Sequence, residues 1–306
     1  MVVRLLAIIM LAQALAALLL WRLMSGPLPG AVALAAALAL VALVRMLIVA
    51  NNFHLSWRAR SATPQQHGLN WRGRLRLFFG EYAASMRASS WTMLWHHPRM
   101  HIANPPRGLP VLLVHGYGCN GGYWASLRRL LAQQHISHDA VDLEPVTADI
   151  DHYTDQIAAA VQRLLAATGQ DRLVIVAHSM GGLASRAYLQ AHGDAAVAKA
   201  VAKLITLGTP HHGTALASFG IGANARQMRR GAQWLAALDK GDTGRRERIT
   251  SIWSHHDNII APQDSCRLEG ARNIELGGVG HVALADNAFV LSHVLNEIFD
   301  VVDNAR

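Results

Sequence analysis

Two long apolar runs open the chain and a series of short ones follows, and this change in run length separates two kinds of structure. From Leu5 to Trp21 every residue is apolar except Gln13, and from Ala31 to Ala50 every residue is apolar except Arg45. Each run approaches the ~20 residues that a helix needs to cross the hydrocarbon of a bilayer. Between them, Gly26, Pro27, Pro29 and Gly30 end one helix and turn the chain. The pattern therefore predicts a transmembrane helical hairpin over about 5–21 and 31–50, within a first domain of residues 1–50. A cleaved secretory signal fits the first run less well. Its small residues, Ala14, Ala16 and Ala17, are followed directly by Leu18, Leu19, Leu20 and Trp21, and a second apolar run begins soon after.

From Pro110 onward the pattern changes. Short apolar runs at 110–114, 136–142, 172–177, 200–207, 248–253 and 272–276 predict strands. Segments of helical period at 122–134, 151–168, 180–192, 224–239 and 286–301 separate or follow them. Alternating strand and helix implies an α/β domain over 109–306 with a mostly parallel sheet covered on both faces. Ligands in such domains bind at the carboxyl ends of the strands, so the turns after the strands are where chemistry is expected.

Charge divides the chain in the same places. The formal net charge is +8, yet residues 1–50 hold three Arg and no acid, and residues 51–108 hold eight Arg against the single Glu81. The remainder carries a slight acidic excess. Nucleic acid is a poor match for this basic stretch, because its Arg residues are interleaved with Trp57, Trp71, Phe78, Phe79, Trp91 and Trp95. Arg and aromatic side chains together favour the headgroup layer, so 51–108 is expected to lie on the membrane surface, with membrane lipids as its partners. Arg45 is expected to extend toward those headgroups. The positive-inside tendency puts this segment and the following domain on the cytoplasmic face of a bacterial-type plasma membrane. Cys119 and Cys266 are the two cysteines and give no disulfide framework.

Candidate chemistry begins at VAHSMGG, 176–182, where an apolar strand meets a helix. A tight strand-to-helix turn of this kind exposes one side chain, Ser179, and requires small neighbours two residues away, here Ala177 and Gly181. Serine is a weak nucleophile until a base takes its proton, and the developing anion needs donors. The Gly-rich turn HGYGCNGGYW, 115–124, and the N–H of Met180 are placed to supply them. Among seventeen histidines, position selects His281, in GGVGHVALAD after the last strand. Asp257, after the 248–253 strand, is the candidate acid, with Asp264 in reserve. The order Ser, Asp, His is the one this type of fold uses. His211 with His212 and His255 with His256 are adjacent pairs expected to face apart and to lack partner ligands, so no metal site and no cofactor is expected.

The pieces VLLVHGYG, VAHSMGGL, ITLGTPHHGT, the Asp257 loop and GVGH together resemble the bacterial lipase and esterase branch of the α/β-hydrolases, including small triacylglycerol lipases. The resemblance covers 111–281 and implies an α/β-hydrolase fold behind the membrane hairpin. It implies oxyanion donors at Tyr117 and Met180, and an acyl pocket bordered by Thr209, Pro210 and His212, with His115, Gly116 and His178 beside it. It also implies a lid over 215–243, whose Trp234, Leu235 and Leu238 face either acyl chain or core. The expected activity is cleavage of a lipid or other acyl ester through an acyl-enzyme. Acyl transfer or thioester cleavage by the same triad is the alternative, and a non-catalytic membrane scaffold is the alternative from another class.

Overall fold

The computed structural model describes residues 1–192 and 200–303. Helices α1 (Val2–Met24) and α2 (Gly30–Arg58) form the hairpin. They pack side by side, with Ala33 and Ala37 fully buried between them and Ala17 nearly so. Small residues let two helix backbones approach closely. The Trp21 indole N–H donates to the Gly30 carbonyl and closes the turn at 3.0 Å. Most large apolar side chains of both helices, from Ile8 to Leu47, face outward.

Arg45, expected to extend toward headgroups, is turned onto protein oxygens. Its guanidinium donates to Ser90 at 2.7 Å and Gln13 at 3.4 Å, and also to Ser89. A planar fork of donors is best satisfied by several oxygens at once, and the chain brings them to it by folding residues 88–92 back against the hairpin. This π-helical turn follows α3 (Trp71–Arg87), which is capped by Asn70 accepting from the Gly73 N–H at 2.8 Å. Helix α3 is amphipathic: Leu77, Glu81 and Ala84 face inward, while Trp71, Leu75 and Phe79 face out.

The remainder is a parallel six-stranded sheet in the order β2-β1-β3-β4-β5-β6. The strands are β1 (Val111–Val114), β2 (His138–Val141), β3 (Leu173–His178), β4 (Val201–Leu207), β5 (Ile249–Ser254) and β6 (Arg272–Leu276). Side chains alternate across the central strands. Leu113, Val174, Val176 and Ile205 enter one core with α4 (Ala125–Gln133) and the terminal helix Ala288–Asp303. Leu112, Val114, Ile175, Ala177 and Leu204 enter the other with α5 (Tyr153–Thr168) and α6 (Met180–Ala191). Both faces are apolar because both are covered, which is why these strands appear in the sequence as unbroken hydrophobic runs.

Between β4 and β5 the expected single helix 224–239 is instead two, α7 (Ala223–Gln227) and α8 (Gln233–Gly241). The break falls at Gly231, whose φ of +75° takes the chain out of helical space. The terminal helix, Ala288–Asp303, is α9.

Candidate active site

Every expected loop of the site lies at the carboxyl end of the sheet. Ser179 joins β3 to α6 with φ +54° and ψ −125°, a conformation that side-chain-bearing residues rarely adopt. Strain of this kind persists only where the surroundings hold it. The Ser179 N–H donates to Leu207, its carbonyl accepts from Thr209 Oγ1 at 2.9 Å, and the turn has no room for larger neighbours. A Cβ on Gly181 would lie 2.4 Å from the His115 carbonyl, and one on Gly116 would lie 2.8 Å from Ser179 Cβ.

Asp257 and His281 meet across two loops. His281 Nδ1 donates to Asp257 Oδ2 at 2.7 Å, and Asp257 Oδ1 accepts from the N–H groups of Ile259 and Ile260 at 2.8 and 2.7 Å. Asp264, the reserve acid, is exposed. The His281 N–H donates to Asn258 Oδ1. Burial works against a charged imidazole, but the attraction and hydrogen bond of Asp257, with a smaller contribution from Glu81, hold His281 above its ordinary pKa. Gly208, after β4, touches both partners: a Cβ there would lie 3.2 Å from Asp257 Oδ2 and from His281 Nδ1. Among the described residues, neither the Ser179 hydroxyl nor His281 Nε2 holds a hydrogen bond to protein. The N–H groups of Tyr117 and Met180 are likewise without an acceptor there.

Several histidines expected to border substrate have other partners. His115 is buried, with Nδ1 on the Gly116 carbonyl and Nε2 accepting from the Leu143 N–H at 3.0 Å, so it pins the Gly-rich turn to the loop after β2. His178 lies behind the site, stacked on Tyr123, with Nε2 on the His281 carbonyl at 3.2 Å. Burial and then the neighbouring His281 push its pKa well down, so it is the neutral ring that braces the His281 backbone. His212 is exposed and shares a surface cavity with Arg230 and Asp264, because His211 takes the inward position in the pair. His211 accepts from the buried Arg186, which also pairs with Asp239 and Asp242 and so ties α8 to α6. Thr209 supports the elbow rather than facing outward, and Pro210 is buried beside it.

In the segment expected to be a lid, Leu235 and Leu238 face the core, and the Trp234 indole N–H donates to Asp151. Its outward apolar side chains are Phe219 and Ile221, 72% and 75% exposed. The Tyr117 hydroxyl both donates to the Ile221 carbonyl at 2.8 Å and accepts its N–H at 3.1 Å, latching this tip to the Gly-rich turn. The 3-10 turn Ala215–Phe219 also packs against α2.

Two contributors come from outside the expected domain. Glu81 of α3 is 1% exposed, and its carboxylate accepts from the N–H groups of Val282 and Ala283 at 3.0 and 2.9 Å. Burial raises its pKa, and those two hydrogen bonds and His281 oppose the rise. Ser56, near the end of α2, donates to the Asp257 carbonyl at 2.8 Å, and Gln263 donates to both. The one signal in the sequence was that Glu81 is the lone acid in a segment of eight Arg. His255, expected to lack partner ligands, has His67 and Glu275 beside it, because the strap after α2 returns to the sheet edge.

A strained serine between β3 and α6, an Asp–His pair on the loops after β5 and β6, and a Gly-rich turn after β1 lie at the places where an α/β-hydrolase fold carries a nucleophile, an acid–base pair and an oxyanion loop. Residues 110–244 match the model of the alpha/beta hydrolase fold family. Triacylglycerol lipases of Pseudarthrobacter phenanthrenivorans and Burkholderia plantarii are each 34% identical over 118 residues, 36% of this chain. The chain spans about one third of the length of these curated relatives, 35% and 32% respectively. A mature lipase of Bacillus licheniformis superposes with a TM-score of 0.54 at 19% identity, covering 65% of this chain and 94% of that one. Aspergillus fumigatus lipase B gives 0.54 at 19% identity over 64% and 55%. At such identities the likeness speaks for the fold.

Proposed function

We propose that this protein is a membrane-anchored carboxylic ester hydrolase of lipase or esterase type, working through an acyl-enzyme. The observation that carries the reading is the buried 2.7 Å bond between Asp257 and His281, on loops flanking the strained Ser179 turn. In this mechanism Ser179 Oγ attacks the ester carbonyl while His281 Nε2 takes its proton. The N–H groups of Tyr117 and Met180 receive the oxyanion. His281 then gives the proton to the leaving alkoxide, and water repeats the sequence to release the acid and restore Ser179. Asp257 fixes the His281 tautomer and stabilises the imidazolium that forms at each step.

The substrate class follows from the surroundings of the site. Phe219 and Ile221 present apolar surface at the lid tip, and the turn that ends at Phe219 packs on α2. A lid whose exposed side chains prefer hydrocarbon fits an acyl ester supplied from a lipid layer.

The anchor reading rests on the outward apolar faces of α1 and α2, and on exposed Trp57, Trp71, Trp91 and Trp95 on the body beside them. From Gly30 to Arg45, where the body first grips the hairpin, α2 rises only about 22 Å, short of the ~30 Å of a hydrocarbon core. The exposed tryptophans therefore sit at the headgroup layer rather than above it, with the domain on the cytoplasmic side by the Arg excess. Ser179→Ala protein in detergent tests the catalytic part: p-nitrophenyl ester cleavage falls to background, whereas wild-type turnover would refute it. Alkali extraction of membranes tests the anchor, which predicts the full chain in the pellet; release of the chain into the supernatant would refute it.

A further inference from the structure

Beyond the catalytic residues, three segments far apart in sequence place metal-binding side chains together. His67 ends the short 3-10 turn Gln65–His67, in the strap between α2 and α3. His255 directly follows β5, and Glu275 lies on β6 opposite Trp253. One ligand atom from each of the three lies within 4.8 Å of the other two. The imidazoles of His67 and His255 stack with centroids 4.7 Å apart and planes 28° from parallel. His255 Nε2 lies 3.2 Å from Glu275 Oε2, while its buried Nδ1 has no hydrogen-bond partner. The other carboxylate oxygen, Oε1, accepts from Arg267 at 3.1 Å, which orients Oε2 toward the histidines.

The approach is close as well as convergent. A Cβ on Gly277 would lie 3.1 Å from His67 Nδ1, so the exit of β6 passes directly against the strap. Nothing in the apolar packing of the sheet requires two imidazoles and a carboxylate at this edge. Two imidazole nitrogens and one carboxylate oxygen, with a fourth position open to water, form a donor set suited to Zn²⁺.

We propose that His67, His255 and Glu275 bind one Zn²⁺ that staples the membrane-proximal strap to the ends of β5 and β6. The staple acts on structure and leaves the chemistry to Ser179. Asp257 lies two residues beyond His255 and His281 six beyond Glu275, so the two loops that carry the Asp–His pair are the ones held. The site joins a segment outside the hydrolase sheet to that sheet, and its affinity reports whether the strap is docked.

The test uses the full chain in detergent, stripped with a chelator and then titrated with Zn²⁺ or Co²⁺ alone. Wild-type protein is expected to bind one equivalent, to unfold several degrees higher with Zn²⁺, and to develop the intense visible bands of four-coordinate Co²⁺. His67→Ala and Glu275→Gln are each expected to lose all three responses, and His256→Ala to keep them. His67→Gln serves as a second variant should the alanine form fail to fold. Wild-type protein without a saturable one-equivalent response would overturn the proposal, as would a double variant, His67→Ala with Glu275→Gln, that responds like wild type. None of these readouts depends on ester cleavage.

Discussion

Replacing Glu81 separates a residue that holds the fold from one that also tunes the histidine. Its carboxylate is buried and accepts two backbone N–H groups of the turn that begins at His281. Hydrogen bonds to a charged group contribute about 1.5–3 kcal/mol each, and some of that is recovered by water or relaxation, so Glu81→Ala should destabilise by about 2–4 kcal/mol. Glu81→Gln keeps the shape but turns one acceptor into a donor facing an N–H, at a cost of about 1–3 kcal/mol. Both changes loosen the backbone on which the imidazole sits. A displacement near 1 Å costs on the order of 100-fold in rate, so kcat should fall about 10- to 100-fold with KM little changed.

A second readout carries a sign. Glu81 contributes to the raised pKa of His281, and the base must be neutral to accept the serine proton. Removing the charge lowers that pKa, so the acid limb of kcat/KM should move to lower pH in Glu81→Gln. The assay is p-nitrophenyl ester cleavage across pH in detergent, with thermal unfolding measured alongside. Glu81→Gln with wild-type kcat and an unmoved acid limb would refute the positioning argument even if its Tm fell.

Three further outcomes follow from the same geometry. In the wild type, kcat/KM should rise with pH through a midpoint above 6.5, because His281 is held above its ordinary value; a midpoint below that contradicts the Asp257 pairing. Gly116→Ala places a methyl 2.8 Å from Ser179 Cβ and should lower kcat at least 10-fold while costing about 1–3 kcal/mol in stability by overpacking; wild-type kinetics would show that the turn yields freely. Tyr117→Phe removes both hydrogen bonds to Ile221, about 0.5–1.5 kcal/mol each, and should speed proteolysis within 215–231 and cleavage of short soluble esters; unchanged rates of both would mean the latch does not hold the lid.

The sheet was legible because each strand is covered on both faces, leaving apolar runs such as LVIVA over 173–177 that no exposed loop produces. The Ser179 turn was legible for a steric reason, since Gly181 and Ala177 are the sizes its backbone tolerates. Asp257 and Asp264 were equivalent in one dimension and became distinct once burial and two N–H donors selected the first. Histidine was the least legible residue. His115, His178 and His211 occupy motif positions next to the chemistry, yet each commits a ring nitrogen to a backbone N–H, a backbone carbonyl or an arginine. Glu81, Ser56 and His67 escaped the sequence because their partners lie about 200 residues away, and no periodicity reports a contact of that range. Arg45 misled in the same way: a cation in an apolar run suggests a headgroup, but its oxygens come from a turn 45 residues further on.

The central claim is that Ser179 is activated by His281 with Asp257 behind it. Its most direct measurement is covalent labelling by a fluorophosphonate probe, with the modified peptide located by mass spectrometry in wild type, Ser179→Ala and His281→Ala. The account predicts stoichiometric labelling at Ser179 in the wild type, none in Ser179→Ala, and labelling at least 100-fold slower in His281→Ala with the fold intact. Labelling at another serine, or an undiminished rate in folded His281→Ala, would contradict it.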